Sequence, residues 1–393
     1  MRKIASYLII TQLCLLISTV SFTNPIQIKI SGSLSPAIKT NIQNTIQALE
    51  QQTNSPQYIS PNNLANMIKK NIITATSPFG YFNPSITVSH DYHNFTCKIK
   101  LNTPVTLQSI NIKIKGAGQH DKVFSRYLHH LPIKIGDRFS SQKYQEVKDT
   151  LYSIAANRGY FKTKMINNNI QINRSSNEAN INITLITGKR YKFGITTFSK
   201  NMLAKHFIHQ FISYKIGDNY NNKLIQETTL NLNNSGYFQQ AIITPDISKT
   251  KNDRLPVHIY LIPVPKTQYK FGLGYGTDTG IRLTTNITNN YINQYGHKLK
   301  FTGQISQINQ SLSSTYTIPS RHPLSHYYTI TGALSKITLN KNKSDAMKLT
   351  LGSTHLYHYW QTIFSINALK ENYSLTSFST KANLFYPQLH IQY

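Results

Sequence analysis

Apolar positions follow two different rules along the 393-residue chain. Through Lys266, short runs of strict alternation are interleaved with stretches in which apolar residues recur at three- and four-residue steps. Alternation marks strands and the longer step marks one face of a helix. Tyr144, Val147, Leu151 and Ile154 show the helical step most clearly. The runs "IQIKISG", "SINIKIKG" and "YKFGITTF" read as strands that open segments. The runs "SITVSHDY", "KMINNNIQINR" and "AIITPDI" read as strands that come after helices. Beyond Lys266 only alternation remains. Tyr269, Phe271, Leu273 and Tyr275 place aromatic and apolar side chains on one face, while Lys270, Gly272, Gly274 and Gly276 leave the other nearly bare. Ile281, Leu283 and Ile287 continue the apolar side against Arg282, Thr284 and Asn286. Met347, Leu349 and Leu351 repeat it against Lys348, Thr350 and Gly352.

The first region is a threefold repeat. The triplets Gly80-Tyr81-Phe82, Gly159-Tyr160-Phe161 and Gly236-Tyr237-Phe238 lie 79 and 77 residues apart, a domain-sized period. An aliphatic residue, Ile68, Val147 or Leu224, precedes each glycine by 12 positions. Two repeats also share the turn "KIGD", at Lys134–Asp137 and Lys215–Asp218. Each unit runs strand, helices, two strands, which is an α+β module with helices packed on a small sheet. The triplet is expected to be structural: glycine takes the left-handed cap after the helix, and the two aromatics fill the core beneath it.

The second region fits membrane-spanning strands, which alternate a lipid-facing apolar side with a lumen-facing polar side in runs of about ten residues. A soluble sheet buried on one face alternates in the same way. Aromatics at strand ends, such as Tyr269 and Tyr275, favour the membrane, where such rings mark the interfaces. Residues 268–393 number 126, room for about eight such strands with their turns.

Composition then sets the compartment. "MRK" followed by "IASYLIITQLCLLISTV" and "SFTNP" has the basic, apolar and small-residue order of a secretory leader, with cleavage expected after Ser21 or Thr23. Removal of Cys14 leaves Cys97 alone, which excludes an internal disulfide and a CxxC metal site. The formal net charge of +28 invites a nucleic-acid reading, but the basic residues are dispersed and the chain is exported. Anionic lipid head groups are a second partner for such charge.

Catalytic chemistry is not indicated. Asp278-Thr279-Gly280 copies an aspartic-protease core, yet it sits between two strands where Asp and Gly are ordinary turn formers. There is no G-x-S-x-G elbow and no phosphate loop. The histidines come as His90 with His93, His129 with His130, His322 with His326 and His355 with His358. A three-residue step on a strand points side chains to opposite faces, so no metal or cofactor site is expected.

Three modules ending in Gly-Tyr-Phe ahead of a β-rich region resemble polypeptide-transport-associated (POTRA) domains preceding an outer-membrane barrel. "GYGTDTGIRL", "INQYGHKL", "STYTIPSRHPLSHYYTITGAL" and "LFYPQLHIQY" are similar, in order, to early barrel segments of the TamA family within the BamA/TamA superfamily. The resemblance implies a leader over 1–23, POTRA domains over 24–104, 105–187 and 188–266, and the N-terminal part of a transmembrane barrel over 267–393. It implies a non-enzymatic outer-membrane assembly factor with its POTRA domains in the periplasm. Its partners would be a TamB-like inner-membrane protein, unfolded outer-membrane or autotransporter-like clients, and lipid. It also implies that Tyr269, Phe271, Gly272, Leu273, Gly274, Tyr275 and Gly276 form a gate strand at a seam, where a client strand adds to unpaired backbone groups. The glycines equally serve wall curvature or room for the lumen.

The family's barrel has sixteen strands, and its later Arg-Gly loop and closing strand have no counterpart here. The expectation is therefore a chain cut at mid-barrel. A small closed barrel ending in Phe385, Leu389, Ile391 and Tyr393 is the alternative. Relatives such as BamA or the two-partner secretion transporters differ in module number, five and two against three. The competing function is a periplasmic POTRA scaffold that inserts nothing, or the product of a decaying gene.

Overall fold

The computed structural model describes residues 27–53, 59–91, 94–277, 280–375 and 378–393. The expected leader lies outside the described residues, as do His93 and, in the "TDTG" turn, Asp278 and Thr279. The chain divides into two compact units. One holds the chain up to Ile154 together with Thr163–Thr187. The other holds Ala155–Lys162 together with Gly188–Tyr393. Among the described residues no helix is long and apolar enough to cross a membrane.

Three modules repeat one topology. The first is β1 (Gln27–Ser31), α1 (Pro36–Thr53), α2 (Pro61–Thr76), β2 (Ser85–Asp91) and β3 (Asn94–Lys100). The last strand occupies the centre of its sheet, parallel to β1 and antiparallel to β2. Ile38, Ile42, Ile46 and Leu49 recur on α1 at helical spacing and meet Leu64, Ile68 and Ile72 of α2 over Phe95, Cys97 and Ile99 of β3. Ser60 caps α2 by accepting from the Asn63 N–H, and Pro61 starts the helix where no N–H is needed.

The second module is β4 (Thr106–Lys115), α3 (Lys122–Leu128), α4 (Ser141–Asn157), β5 (Lys164–Asn173) and β6 (Glu178–Ile186), in sheet order β4-β6-β5. The third is β7 (Lys192–Phe198), α5 (Lys205–His209), α6 (Asn222–Asn234), β8 (Phe238–Pro245) and β9 (Arg254–Pro263), in order β7-β9-β8. Its core is rich in aromatics, with Phe193, Phe207, Phe211, Tyr214, Tyr237 and Phe238 all buried.

The "KIGD" turns are alike in both modules that carry them. The Asp137 and Asp218 carboxylates accept from the backbone N–H of Lys134 and Lys215 at 3.0 and 2.8 Å. Gly136 and Gly217 supply φ of +87° and +92°. Each turn then pairs with its module's first strand, through Leu107 and Phe193 respectively.

The remaining strands form one antiparallel sheet in chain order. They are β10 (Thr267–Gly276), β11 (Gly280–Asn289), β12 (Lys298–Ser306), β13 (Asn309–Pro319), β14 (His326–Leu339), β15 (Asn342–Tyr357), β16 (Trp360–Leu375) and β17 (Phe378–Gln392). β10 and β17 are its two edges. The apolar face carries Leu312, Leu334 and Met347, which are adjacent across three strands and about half exposed. The polar face is hydrogen-bonded: Asn367 accepts from Thr350 Oγ1 and donates to Ser365 Oγ and the Tyr386 carbonyl. An apolar face alternating with a polar one is the pattern expected of a lipid-facing sheet.

Candidate functional site

Two features stand out from this scaffold: the free edge of the large sheet, and the surroundings of the three Gly-Tyr-Phe triplets.

Among the described residues β10 has β11 as its sole sheet partner, so one row of its N–H and C=O groups faces away from any strand. Tyr269, Phe271, Leu273 and Tyr275 are 63 to 80% exposed on one face. Tyr269, Leu273 and Tyr275 stand opposite Ile287, Leu283 and Ile281 of β11. On the other face Gly272 and Gly274 stand opposite Thr284 and Arg282, and Gly276 opposite Gly280. Thr284 Oγ1 donates to the Gly272 carbonyl at 3.3 Å. A Cβ on Gly272 would meet that hydroxyl at 2.6 Å, whereas one on Gly274 would approach Arg282 no closer than 4.0 Å.

The base of β10 is tied down. The Val264 N–H donates to the Tyr237 carbonyl, and Asn290 donates its backbone N–H to Lys266 and its side-chain amide to the Pro265 carbonyl, both at 2.8 Å. Tyr291 Oη donates to the Val264 carbonyl. Every residue between β9 and β10 is therefore held by the third module or by the β11–β12 turn.

The triplets are sockets. Gly80, Gly159 and Gly236 have φ of +90°, +86° and +70°, a region that other residues enter at a cost. The Gly80 carbonyl accepts from the Val105 N–H at 2.7 Å, and the Gly159 carbonyl from the Tyr191 N–H at 3.0 Å. In both cases the aromatic residue just after the "KIGD" turn returns to the same backbone: Phe139 N–H to Val105 O, and Tyr220 N–H to Tyr191 O. The glycines leave room for this approach. A Cβ on Gly80 would lie 2.7 Å from the Phe139 carbonyl oxygen, and one on Gly159 would lie 2.7 Å from Tyr220 Cβ.

Each socket tyrosine is also covered by a cation. The Arg138 guanidinium sits 5.5 Å from the Tyr81 ring centre and donates to its hydroxyl at 3.1 Å. Arg190 sits 5.7 Å from the Tyr160 ring and donates Nε–H to the Arg158 carbonyl at 2.9 Å. At the third triplet the cation comes from the large sheet: Lys298 Nζ lies 4.0 Å from the Tyr237 ring centre and 3.3 Å from the Ser235 carbonyl. Each such cation–ring contact is worth about 0.5–2 kcal/mol, more when water is excluded. Tyr237, like Tyr160, is buried. Its hydroxyl donates to the Gly296 carbonyl at 2.5 Å, Phe207 packs edge-on at 5.3 Å, and burial raises the phenol pKa.

The aromatics do not all lie beneath their own glycine. Tyr160, Tyr237 and Phe238 are buried, but Phe82 and Phe161 are only half-buried. Phe82 meets Phe139 at 5.9 Å and Phe161 meets Tyr220 at 5.0 Å, so each phenylalanine packs against a ring from later in the chain. The reason is geometric. The positive φ turns the chain sharply, and the neighbouring ring offers more apolar contact than the far side of the helix.

Two histidines that are distant in sequence meet in the large sheet. His326 and His355 are opposite one another across β14 and β15, with rings 5.5 Å apart. Neither belongs to the other's sequence pair. Only strand register brings them together.

Residues 27–106 match a POTRA domain of the type described as TamA domain 1, and residues 108–188 match a POTRA domain described as surface antigen variable number repeat. The fold is similar to that of BamA from Haemophilus ducreyi lacking POTRA domains 1-3. That match has a TM-score of 0.57 at 13% identity and covers 73% of this chain and 58% of that one. CdiB from Escherichia coli matches at a TM-score of 0.38 and 14% identity over 92% of this chain and 65% of that one. The chain thus spans little more than half the length of the BamA structure it resembles. The chain thus carries two POTRA domains recognised in its sequence, and a fold similar to that of BamA runs on into its large antiparallel sheet.

Proposed function

We propose that this protein is a TamA-like outer-membrane assembly factor that helps β-barrel or autotransporter-like clients insert by templating a strand along β10. The observation that carries the reading is the edge of β10, unpartnered among the described residues, beside the exposed row Tyr269, Phe271, Leu273 and Tyr275. In hydrocarbon each unpaired backbone group costs several kcal/mol, so an incoming strand is stabilised wherever it pairs them. Main-chain bonding supplies affinity without demanding a particular client sequence.

The glycines refine the proposal. Gly272, Gly274 and Gly276 give β10 little side-chain contact on its inner face, and glycine weakens a strand. The linker before the strand is pinned by Asn290 and Tyr291, while the glycines are concentrated towards Gly276. A client strand therefore begins pairing at the far end, where β10 moves most easily. In this reading the domains occupy 24–104, 105–187, 188–266 and 267–393, with the first three in the periplasm beside a TamB-like inner-membrane partner.

The test is cross-linking during client insertion. Cysteine at Lys270, on the native glycine background, is expected to form adducts with the terminal strand of a client barrel. The G272V/G274V/G276V variant is expected to slow insertion. Normal insertion by the triple variant, with no adduct from position 270, would leave strand templating without support. Recovery of the protein in the soluble periplasmic fraction would favour a scaffold that inserts nothing.

A further inference from the structure

Each small sheet has helices on one face and leaves the other open, and the three open faces differ. In the first module the open face of β3 shows Thr96, Lys98 and Lys100. In the second, Ser109 pairs with Asn180 and Asn111 with Asn182 through side-chain hydrogen bonds. The first face is polar, and the second is mainly so, with Ile186 exposed at the end of β6. The third is not. Tyr260 and Ile242 stand opposite one another on β9 and β8 and are 52 and 44% exposed. Pro256, His258 and Tyr260 are alternate residues of β9 and share that face, since Leu255, Val257 and Ile259 are buried on the other.

This apolar row runs into a groove of about 670 Å³ at the start of β7 and β9. Ile195 and Ile216, 67 and 56% exposed, line it together with Lys192, Lys251, Arg254 and Pro256. The carboxylates nearby are already engaged: Asp253 pairs with Lys189 at 3.3 Å and Asp246 with Lys249 at 3.1 Å. Lys192, Lys251 and Arg254 are left as surplus positive charge beside exposed isoleucines. An apolar strip ending in uncompensated cations is complementary to a segment with alternating apolar residues and a cluster of carboxylates.

Two kinds of anion are available to a protein tied to a membrane sheet, a lipid head group and an acidic polypeptide. Position decides between them. The third module meets the large sheet at the other end of β9, through Val264, Tyr237 and the 290–298 turn. Ten residues of β9 separate that end from Arg254, about 30 Å of strand. The groove therefore lies at the end of β9 remote from the contact with the large sheet, where an acidic polypeptide is the anion better placed to reach it. We infer that the open sheet face of the third module, with its basic groove, is a docking surface for an extended acidic-apolar segment of a periplasmic protein. The inference stands on this module alone and does not depend on strand addition at β10.

The experiment uses the full chain in detergent micelles and a fluorescent peptide of about ten residues alternating Glu and Val, the length that spans the strip. A Lys/Val peptide and phosphatidylglycerol vesicles are the comparison probes. The Glu peptide is expected to bind, to weaken as salt rises, and to lose about tenfold or more in affinity in K192E/R254E. Y260S, which removes the exposed ring but no charge, is expected to lose about threefold to tenfold. K98E/K100E on the first module's open face serves as the charge-matched control and is expected to change binding by less than about twofold. K192Q/R254Q provides a milder second variant should the reversal disturb folding, and it is expected to weaken binding by at least about threefold. Equal loss in the control, equal binding of the Lys peptide, or an effect of the substitutions on vesicle binding alone would each overturn the inference.

Discussion

Gly159 and Gly217 allow the socket to be weighed against backbone strain. Both are left-handed, with φ of +86° and +92°, so replacing either by Ala incurs a similar conformational cost of about 1–2 kcal/mol. Their surroundings differ completely. A Cβ on Gly217 meets nothing within 4 Å. A Cβ on Gly159 lies 2.7 Å from Tyr220 Cβ and 3.3 Å from the Tyr191 carbonyl oxygen, which itself accepts from Tyr220 N–H. Neither neighbour is a flexible tip, so the chain must separate locally, at about 1–3 kcal/mol for overpacking. G217A is then expected to cost about 1–2 kcal/mol and G159A about 2–5 kcal/mol. Urea unfolding of the detergent-solubilised chain, monitored by circular dichroism at 222 nm, is the assay. All six described α-helices lie between Pro36 and Asn234, so that signal reports the modules. The single tryptophan, Trp360, lies in the large sheet and gives a separate fluorescence signal, which should not move. With a urea slope of about 1–2 kcal/mol per molar, G159A should shift the midpoint by about 1 M more than G217A. Equal shifts would mean that the Gly159 socket is not closed in solution.

Other substitutions address the remaining contacts. Y237F removes the donor to the buried Gly296 carbonyl and is expected to cost about 1–3 kcal/mol, read as faster proteolysis near residues 264–266. K298M keeps the apolar stem over the Tyr237 ring but leaves the Ser235 carbonyl without its donor, so it should weaken the same contact by about 1 kcal/mol, and K298R should restore part of it. Burial raises the Cys97 thiol from 9.0 to about 11. Below pH 9 the thiol is protonated in both states and its contribution is intact. Between pH 9 and about 11 the unfolded chain ionises while the folded one does not, so stability of the first module should fall with rising pH, and C97A should flatten that slope. Thiol labelling of the intact chain at pH 8 should be slow until the module unfolds.

How far the sequence foretells this arrangement depends on whether a feature is local. The order of strand, helices and two strands comes from periodicity, because Ile38, Ile42 and Ile46 or Phe95, Cys97 and Ile99 reach their core by virtue of their own spacing. The exposed face of β10 is legible for the same reason. The sockets are half legible. Both parts, the triplet and the "KIGD" turn, are visible as repeated words, but nothing in the words says that Phe139 and Tyr220 return to the glycine of the preceding triplet. The covering cations are hidden altogether. Arg138 comes directly after a "KIGD" turn, Arg190 precedes β7 and Lys298 opens a strand of the large sheet, so no common offset from the glycine exists. The His326–His355 contact is hidden likewise, since register across a hairpin is set by the whole strand pair and by its turn.

The third socket differs from the others in its partners as well as in its cation: the Tyr237 hydroxyl donates to Gly296, and the Val264 N–H donates to the carbonyl of Tyr237 rather than of the glycine. The first two receive a backbone N–H and an arginine from the chain that follows their module, whereas the third receives a lysine from the large sheet, over the corresponding ring. Each triplet is thereby fitted to its own neighbour: Gly296 and Lys298 engage Tyr237 and Ser235, whereas Arg138 and Arg190 hold the earlier tyrosines from other places in the chain. A module moved along the array would keep its glycine corner but meet a different set of partners, so the order of the modules is written into the contacts at their ends.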